Sequence, residues 1–118
     1  MIKIDESGRI RVVRGDTGAF TVTPLNPVLP GSEKTPYRLG EGEKIRLIVF
    51  VCPENPLLTK ESGSQAEDGS VEFYLESADT DLPESTYGYR AKLIKADGQT
   101  EISVDTFIGA DAGRFEVV

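Results

Sequence analysis

The side chains that most often perform catalysis are scarce in this chain. It contains no histidine, so it cannot form a serine–histidine or cysteine–histidine pair or a histidine-based zinc site. Its 20 aspartate and glutamate residues include candidates for the paired carboxylates of a glycoside hydrolase, but most fall on predicted turns and outward strand positions, where solvated charge is the default. No glycine-rich segment follows a strand and opens a helix, as a phosphate-binding loop does. We therefore expect a protein that is not an enzyme and that needs no cofactor or metal.

Two groups of residues have types suited to ligand binding. Asp79, Asp81 and Glu84 have a spacing that could place carboxylate oxygens around calcium. Pro83 lies among them and no matching ligand set accompanies them, so we favour helix capping and solvated charge. The second group, which could line a sugar-binding platform, consists of Tyr74, Tyr87 and Tyr89. Cross-strand aromatic pairing is the commoner role of such tyrosines, and we favour it.

The tripeptide Arg14–Gly15–Asp16 matches the sequence that integrins bind. Glycine adopts positive φ without steric cost, and aspartate hydrogen-bonds to its own turn. Strand-like alternation flanks the tripeptide closely on both sides. We therefore predict a structural turn here rather than an adhesive loop.

Charge and cysteine content limit the partners and the compartment. A net charge of −7 and a pI near 4.6 argue against nucleic acid and against an anionic membrane surface, and they favour a cationic or neutral partner. The N-terminus lacks the long apolar segment of a signal peptide, and no stretch approaches the length of a membrane helix. Cys52 is the only cysteine, which excludes an intrachain disulfide and fits a reducing cytoplasm. Its place at the end of an apolar run predicts a buried, inert thiol.

The longest apolar run, residues 44–52, is the predicted central strand. β-Branched and aromatic residues favour a strand, and apolar character on both faces predicts cover on both sides. At a period of two, one face would carry Ile45, Leu47, Val49 and Val51, and the other Ile48, Phe50 and Cys52. The predicted core consists of Ile45, Leu47, Val49, Phe73, Tyr89, Leu93 and Phe115.

Alternation predicts further short strands, separated by turns. These strands fall near Ile10–Val13, Phe20–Thr23, Tyr37–Leu39, Leu57–Lys60, Val71–Glu76, Tyr87–Leu93, Ile102–Val104 and Phe115–Val117. The strand at Phe20 is expected to pair with the strand at Ile10 or to continue it past a bulge. Turns are predicted at Asp5–Gly8, Asp68–Gly69 and Ala96–Gln99, and loops at Pro24–Pro36 and Gly109–Gly113. A single helical turn, capped by Ser77, is predicted over residues 77–83. We predict one all-β domain over residues 1–118, an antiparallel β-sandwich, with an open barrel as the alternative.

Four segments resemble a known family of proteins. They are IDESGRIRVVRGDTGAFTV at residues 4–22, LGEGEKIRL at 39–47, EDGSVEF at 67–73 and DTDLPESTYGYRAKL at 79–93. Together they resemble small phage and prophage tail proteins of Gram-positive bacteria, in particular the N-terminal domain of baseplate upper proteins. The Pro24–Pro36 loop is longer and richer in proline than that pattern.

The resemblance implies an immunoglobulin-like β-sandwich that attaches a receptor-binding apparatus to the tail. The expected partners are then other tail or baseplate proteins, and the expected location is a virion assembled in the bacterial cytoplasm. Whether the domain is a monomer or an oligomer in that particle stays open at this point. Because proline restricts the Pro24–Pro36 loop, that loop is either a semi-rigid contact arm or an idle insertion. The alternative function is a β-sandwich module that binds carbohydrate or a cell surface.

Overall fold

The part of the chain that the structure describes is all-β apart from one short helix. The computed structural model describes residues 2–4, 9–26, 35–52, 54–103 and 112–118. The strands are β1 (Ile2–Ile4), β2 (Ile10–Val12), β3 (Gly18–Val22), β4 (Lys44–Phe50), β5 (Pro56–Ser62), β6 (Val71–Leu75), β7 (Ser85–Ile94), β8 (Glu101–Ser103) and β9 (Ala112–Val117), and the helix α1 (Ser77–Thr80) lies between β6 and β7. No helix in these ranges is long and apolar enough to cross a membrane.

The strands form two sheets. The larger has the order β1–β2–β9–β7–β4–β5, with β8 also paired to β7, and the smaller consists of β3 and β6. The pair β2–β9 is parallel whereas the others are antiparallel, so the prediction of a wholly antiparallel arrangement is wrong at that pair. The buried side chains of both sheets join in one core.

The pairing predicted for the second strand is also wrong. β3 pairs with β6, and Phe20 lies opposite Phe73. Their rings stack with centroids 5.7 Å apart. Alternation in the sequence identifies β3 as a strand with one buried face, but burial of Phe20 against Phe73 selects a partner that is distant in sequence.

The central strand is shorter than the apolar run predicts. β4 lies between β5 and β7, and Ile45, Leu47 and Val49 are buried as predicted. The pairing register shifts between Val49 and Phe50, and the chain then turns into β5. Val51 is 69% exposed and Cys52 is exposed, so the buried positions predicted for these two residues are wrong.

That turn explains both errors. The Asn55 N–H donates to the Cys52 carbonyl at 2.9 Å, so Cys52 takes part in the reversal between β4 and β5 and not in the ladder. Apolar composition alone does not reveal where a hairpin begins.

All seven predicted core residues are buried. Their exposure ranges from 0% for Ile45, Leu47, Val49 and Phe115 to 7% for Tyr89, with Phe73 and Leu93 between. The strands at β2, β6, β7 and β9 and the edge strand β5 are confirmed. β8 confirms a return strand through Ile102, whereas β9 begins at Ala112, so Gly113 lies in a strand and not in the predicted loop.

Residues 37–39 do not form the predicted strand. The Gln65 side chain takes the place of a strand partner: its Nε2 donates to the Tyr37 carbonyl at 2.7 Å, and its Oε1 accepts the Leu39 N–H at 2.9 Å. Glu43 fixes the next turn by accepting the Tyr37 hydroxyl at 2.9 Å and the Lys95 ammonium at 3.0 Å. Side-chain hydrogen bonds thus hold residues 37–39 in place. The alternation of apolar and polar residues gives no sign of such bonds.

The predicted Pro24–Pro36 loop is closed at its base. Leu25 and Pro36 form an isolated antiparallel bridge, and the Asn26 N–H donates to the Thr35 carbonyl at 2.9 Å. Leu25 is buried, so the base of this segment belongs to the molecule's interior. Residues 27–34 lie outside the described part, as do the predicted turn at 5–8, Val104 and most of the Gly109–Gly113 segment.

The predicted helical turn is confirmed, but its cap is one residue earlier. α1 begins at Ser77 with Glu76 as the N-cap, and the Asp79 Oδ2 accepts the Glu76 N–H at 2.8 Å. Leu82 is half-buried against the core. The turns at Gly15, Gly69 and Gly98 each use a positive φ, and Gly98 closes the β7–β8 hairpin where sequence reasoning placed it.

Candidate interaction surface

The outward face of the large sheet collects most of the protein's basic residues. On β1, β2, β4, β7 and β9 the exposed or half-buried positions alternate with buried ones, so the side chains of alternate residues share this outward side. We call this surface the basic face. Its charged members are Lys3, Arg9, Arg11, Lys44, Arg46, Arg90, Lys92 and Arg114, together with the carboxylates Glu61, Glu101 and Glu116. Eight basic and three acidic side chains give it a charge of +5 in a chain whose net charge is −7.

The basic face has an apolar centre where β4 and β7 adjoin. Phe50 lies across Gly88, because a Cβ added to Gly88 would fall 2.8 Å from the Phe50 ring. The guanidinium carbon of Arg90 lies 4.9 Å from the centroid of the same ring. This is cation–π distance, and the ring's electrons attract the charge. Ile48, directly opposite Arg90, extends the apolar centre along β4.

Two carboxylates hold a pair of like charges together on this face. Arg46 lies directly opposite Lys92, an arrangement that is unfavourable by itself. The Arg46 Nη2 lies 2.6 Å from Glu61, the Lys92 Nζ lies 3.5 Å from Glu101, and Arg46 also contacts Glu101. The hydrogen bond from Arg46 holds the pKa of Glu61 below its ordinary value, so Glu61 stays charged and keeps Arg46 in position.

A second pair of like charges lies at the other end of the sheet. Lys3 lies directly opposite Arg11, and Glu116 forms ion pairs with Arg9, at 3.7 Å, and with Arg11, at 3.6 Å. A shallow cleft of about 210 Å³ lies beside them and is lined by Lys3, Arg11, Val13 and Val118. Because it combines cations with exposed apolar surface and is open, we regard the cleft as part of the basic face.

The basic face was not predicted from the sequence, although the alternation already indicated that its basic side chains point outward. Arg46 alternates with Ile45 and Leu47, and Arg90 and Lys92 alternate with Tyr89 and Ala91. The period of two therefore places each basic pair outward. Which strands are neighbours, and hence that these pairs meet on one surface, follows only from the topology.

The integrin-like tripeptide forms a turn that is anchored to the rest of the fold. The Asp16 N–H donates to the Val13 carbonyl at 3.0 Å, and Gly15 has φ of 82°. The Arg14 Nε donates to Asp81 at 2.9 Å, and the Asp16 carbonyl accepts the hydroxyl of the buried Thr80 at 2.7 Å. The turn is thus structural, as predicted, and its lack of adhesive activity stays a prediction.

Two of the three candidate calcium ligands, Asp79 and Asp81, are paired with protein cations, and Glu84 is exposed. The Asp79 Oδ2 lies 2.9 Å from the Lys60 Nζ, and Asp81 pairs with Arg14. Burial works to raise the pKa of Asp79, but the Glu76 N–H and the Lys60 ammonium outweigh it and lower that pKa. Across the described ranges, no three potential metal ligands come together.

The three tyrosines do not share a surface. Tyr87 and Tyr89 are buried inside the large sheet, whereas Tyr74 is 54% exposed on the outer side of β6. Tyr87 lies opposite Phe115, which is the cross-strand aromatic pairing that we favoured. The Tyr87 hydroxyl donates to the Pro83 carbonyl at 2.6 Å, and this bond fastens the segment after α1 to the start of β7.

No family model, curated protein or solved structure matches this chain. A functional proposal therefore rests on the geometry of the described residues and on the family resemblance of the sequence.

Proposed function

We propose that the protein is a structural component of a phage or prophage tail or baseplate and that it acts by protein–protein contact. The basic face is the observation that carries this proposal. An apolar centre at Ile48 and Phe50, flanked by charges held in ion pairs, has the anatomy of a protein interface. The four segments that resemble baseplate upper proteins supply the biological setting.

We propose further that the two sheets form an immunoglobulin-like sandwich. In that fold the second and fifth strands share one sheet, and the third, sixth and seventh share the other. Counting β3 as the second strand, and β8 with β9 as the seventh because both pair with β7, the order fits: β3 pairs with β6, while β4, β7 and β9 adjoin in the large sheet. The bond from Tyr87 to Pro83 at the start of β7 resembles the tyrosine corner of such domains.

In this proposal the domain attaches a receptor-binding apparatus to other tail or baseplate proteins within the virion. The charges of the basic face would fix the orientation of docking and suppress wrong partners, since electrostatic complementarity contributes mainly to specificity and association rate. The role requires no catalysis and no cofactor. A carbohydrate-binding role gains no support from Tyr74, Tyr87 and Tyr89, because only Tyr74 is exposed.

Cross-linking mass spectrometry of purified tail particles from the source strain tests this proposal. We expect the protein in the particles, with cross-links from Lys44 or Lys92 on the basic face, or from Lys34 in the loop, to another subunit of the tail. The isolated chain provides the control for cross-links within one molecule. Absence of the protein from intact particles, or turnover of a defined substrate by the isolated chain, would refute the proposal.

A further inference from the structure

The side of the molecule that lies opposite the basic face is acidic. Residues 67–84, which include β6 and α1, contain seven carboxylates and no lysine or arginine. They are Glu67, Asp68, Glu72, Glu76, Asp79, Asp81 and Glu84. Because both sheets bury their inner faces in one core, the outer side of β6 and the basic face point in opposite directions. We call residues 67–84 the acidic side.

The charge of the acidic side is only partly neutralised. Lys60 pairs with Asp79, Arg14 pairs with Asp81, and the Arg38 guanidinium donates to the Glu67 carbonyl. Within the described part of the chain, no basic side chain forms an ion pair with Glu72 or Glu76, and both are exposed. Tyr74 lies between them on the same side of β6 and is 54% exposed. The acidic side is thus complementary to the basic face. It carries negative charge around one exposed aromatic ring, whereas the basic face carries positive charge around an apolar centre.

We propose that the partner of the basic face is a second copy of this chain, bound through its acidic side. The +5 charge of one surface attracts the unneutralised carboxylates of the other, and the exposed Tyr74 ring supplies an apolar surface to pack against the apolar centre at Phe50 and Ile48. This inference deepens the proposed function by naming a partner, and it rests on that proposal only in treating the basic face as a contact surface.

The geometry of such a contact determines the assembly. The two surfaces differ and lie on opposite sides, so the contact is head-to-tail and leaves a free surface at each end of every dimer. A head-to-tail contact produces rings if the rotation closes and open chains if it does not. Because the contact is charged and solvent-accessible, salt weakens it.

Sedimentation velocity on the purified chain tests this proposal at low and at high salt. At about 20 mM salt, where the screening length exceeds 10 Å, we expect species larger than a dimer that grow with protein concentration. At about 0.5 M salt we expect at least about tenfold weaker association, because the attraction is screened. A chain that stays monomeric at millimolar concentration in low salt, or that forms only a discrete symmetric dimer, would overturn the proposal.

Two variants with one defective surface each provide the sharper test. Lys3→Glu with Arg114→Glu alters exposed positions of the basic face, and Glu72→Lys with Tyr74→Ser alters the acidic side. We expect neither variant to associate with itself. Mixed together they retain one intact surface of each kind, so we expect a heterodimer that grows no further. Failure of the mixture to dimerise, with both variants folded by circular dichroism, would overturn the proposal.

A charge-matched control and a competing ligand complete the design. Glu41→Lys gives the same net charge of −5 as the acidic-side variant, starting from −7, but alters a turn outside both surfaces, and we expect it to associate like the native chain. Equal loss of association in this control would indicate a net-charge effect and overturn the proposal. So would tight binding of a fluorescent single-stranded RNA by a chain that does not associate with itself. None of these results depends on finding the protein in tail particles.

Discussion

Replacing Tyr87 by phenylalanine tests how the start of β7 is held. The substitution removes one hydroxyl from a ring that is 6% exposed and leaves the packing of that ring unchanged. The lost interaction is the 2.6 Å bond to the Pro83 carbonyl. Pro83 is itself exposed, so water can reach its carbonyl in the variant, and the cost stays near the net value of one hydrogen bond, about 1 kcal/mol.

The expected change can be measured by thermal and urea unfolding. For a chain of 118 residues the entropy of unfolding is about 0.25 kcal/mol per kelvin, so a loss of about 1 kcal/mol lowers the Tm by about 4 °C. Tyr74→Phe removes the same atom from an exposed ring and serves as the matched control, with an expected change within about 0.5 kcal/mol. Equal unfolding midpoints for the two variants would refute the role of the Tyr87 bond.

Three further predictions concern the core, the thiol and acid stability. Leu47→Ala removes a side chain that is 0% exposed and should cost about 2–5 kcal/mol in urea unfolding, whereas Leu57→Ala, at a position 47% exposed, should cost much less. Cys52 should react with a maleimide reagent in the native protein at the rate of an exposed thiol; a reaction that needs denaturant would show that the thiol is buried. Hydrogen bonds from Thr100 and Gln99 lower the pKa of Asp97 to about 2, so its contribution to stability is present above the unfolded pKa of about 3.9 and is lost as the pH falls towards 2. Asp97→Asn should therefore flatten the decline in stability between pH 4 and pH 2, and an unchanged decline would contradict this.

Period-two alternation predicted the strands and the core because each strand has one buried face. Phe73 in β6 and Phe115 in β9 alternate with charged or polar residues, so their burial follows from sequence spacing alone. The partners of the strands did not follow, because strand pairing depends on contacts that are distant in sequence. The alternation in β3 indicates a buried face but does not indicate which strand is its partner. The parallel pairing of β2 with β9 joins the two ends of the chain.

Local chemistry outside the strands was harder to predict. The Gln65 side chain takes the place of a strand partner for residues 37–39, and the β4–β5 reversal exposes Cys52 at the end of an apolar run. The basic face was missed for a related reason. A net charge of −7 describes the whole chain, whereas partner choice depends on how the topology distributes that charge between surfaces.

The reactivity of individual lysines tests most directly whether the basic face is a contact surface. Quantitative lysine acetylation would compare the isolated chain in high salt with the protein in purified tail particles. Lys44 and Lys92 lie on the basic face, whereas Lys95 pairs with Glu43 outside both proposed contact surfaces and serves as the internal control. We expect acetylation of Lys44 and Lys92 to fall several-fold on assembly while Lys95 reacts unchanged. Full reactivity of Lys44 and Lys92 in the particle would contradict this expectation.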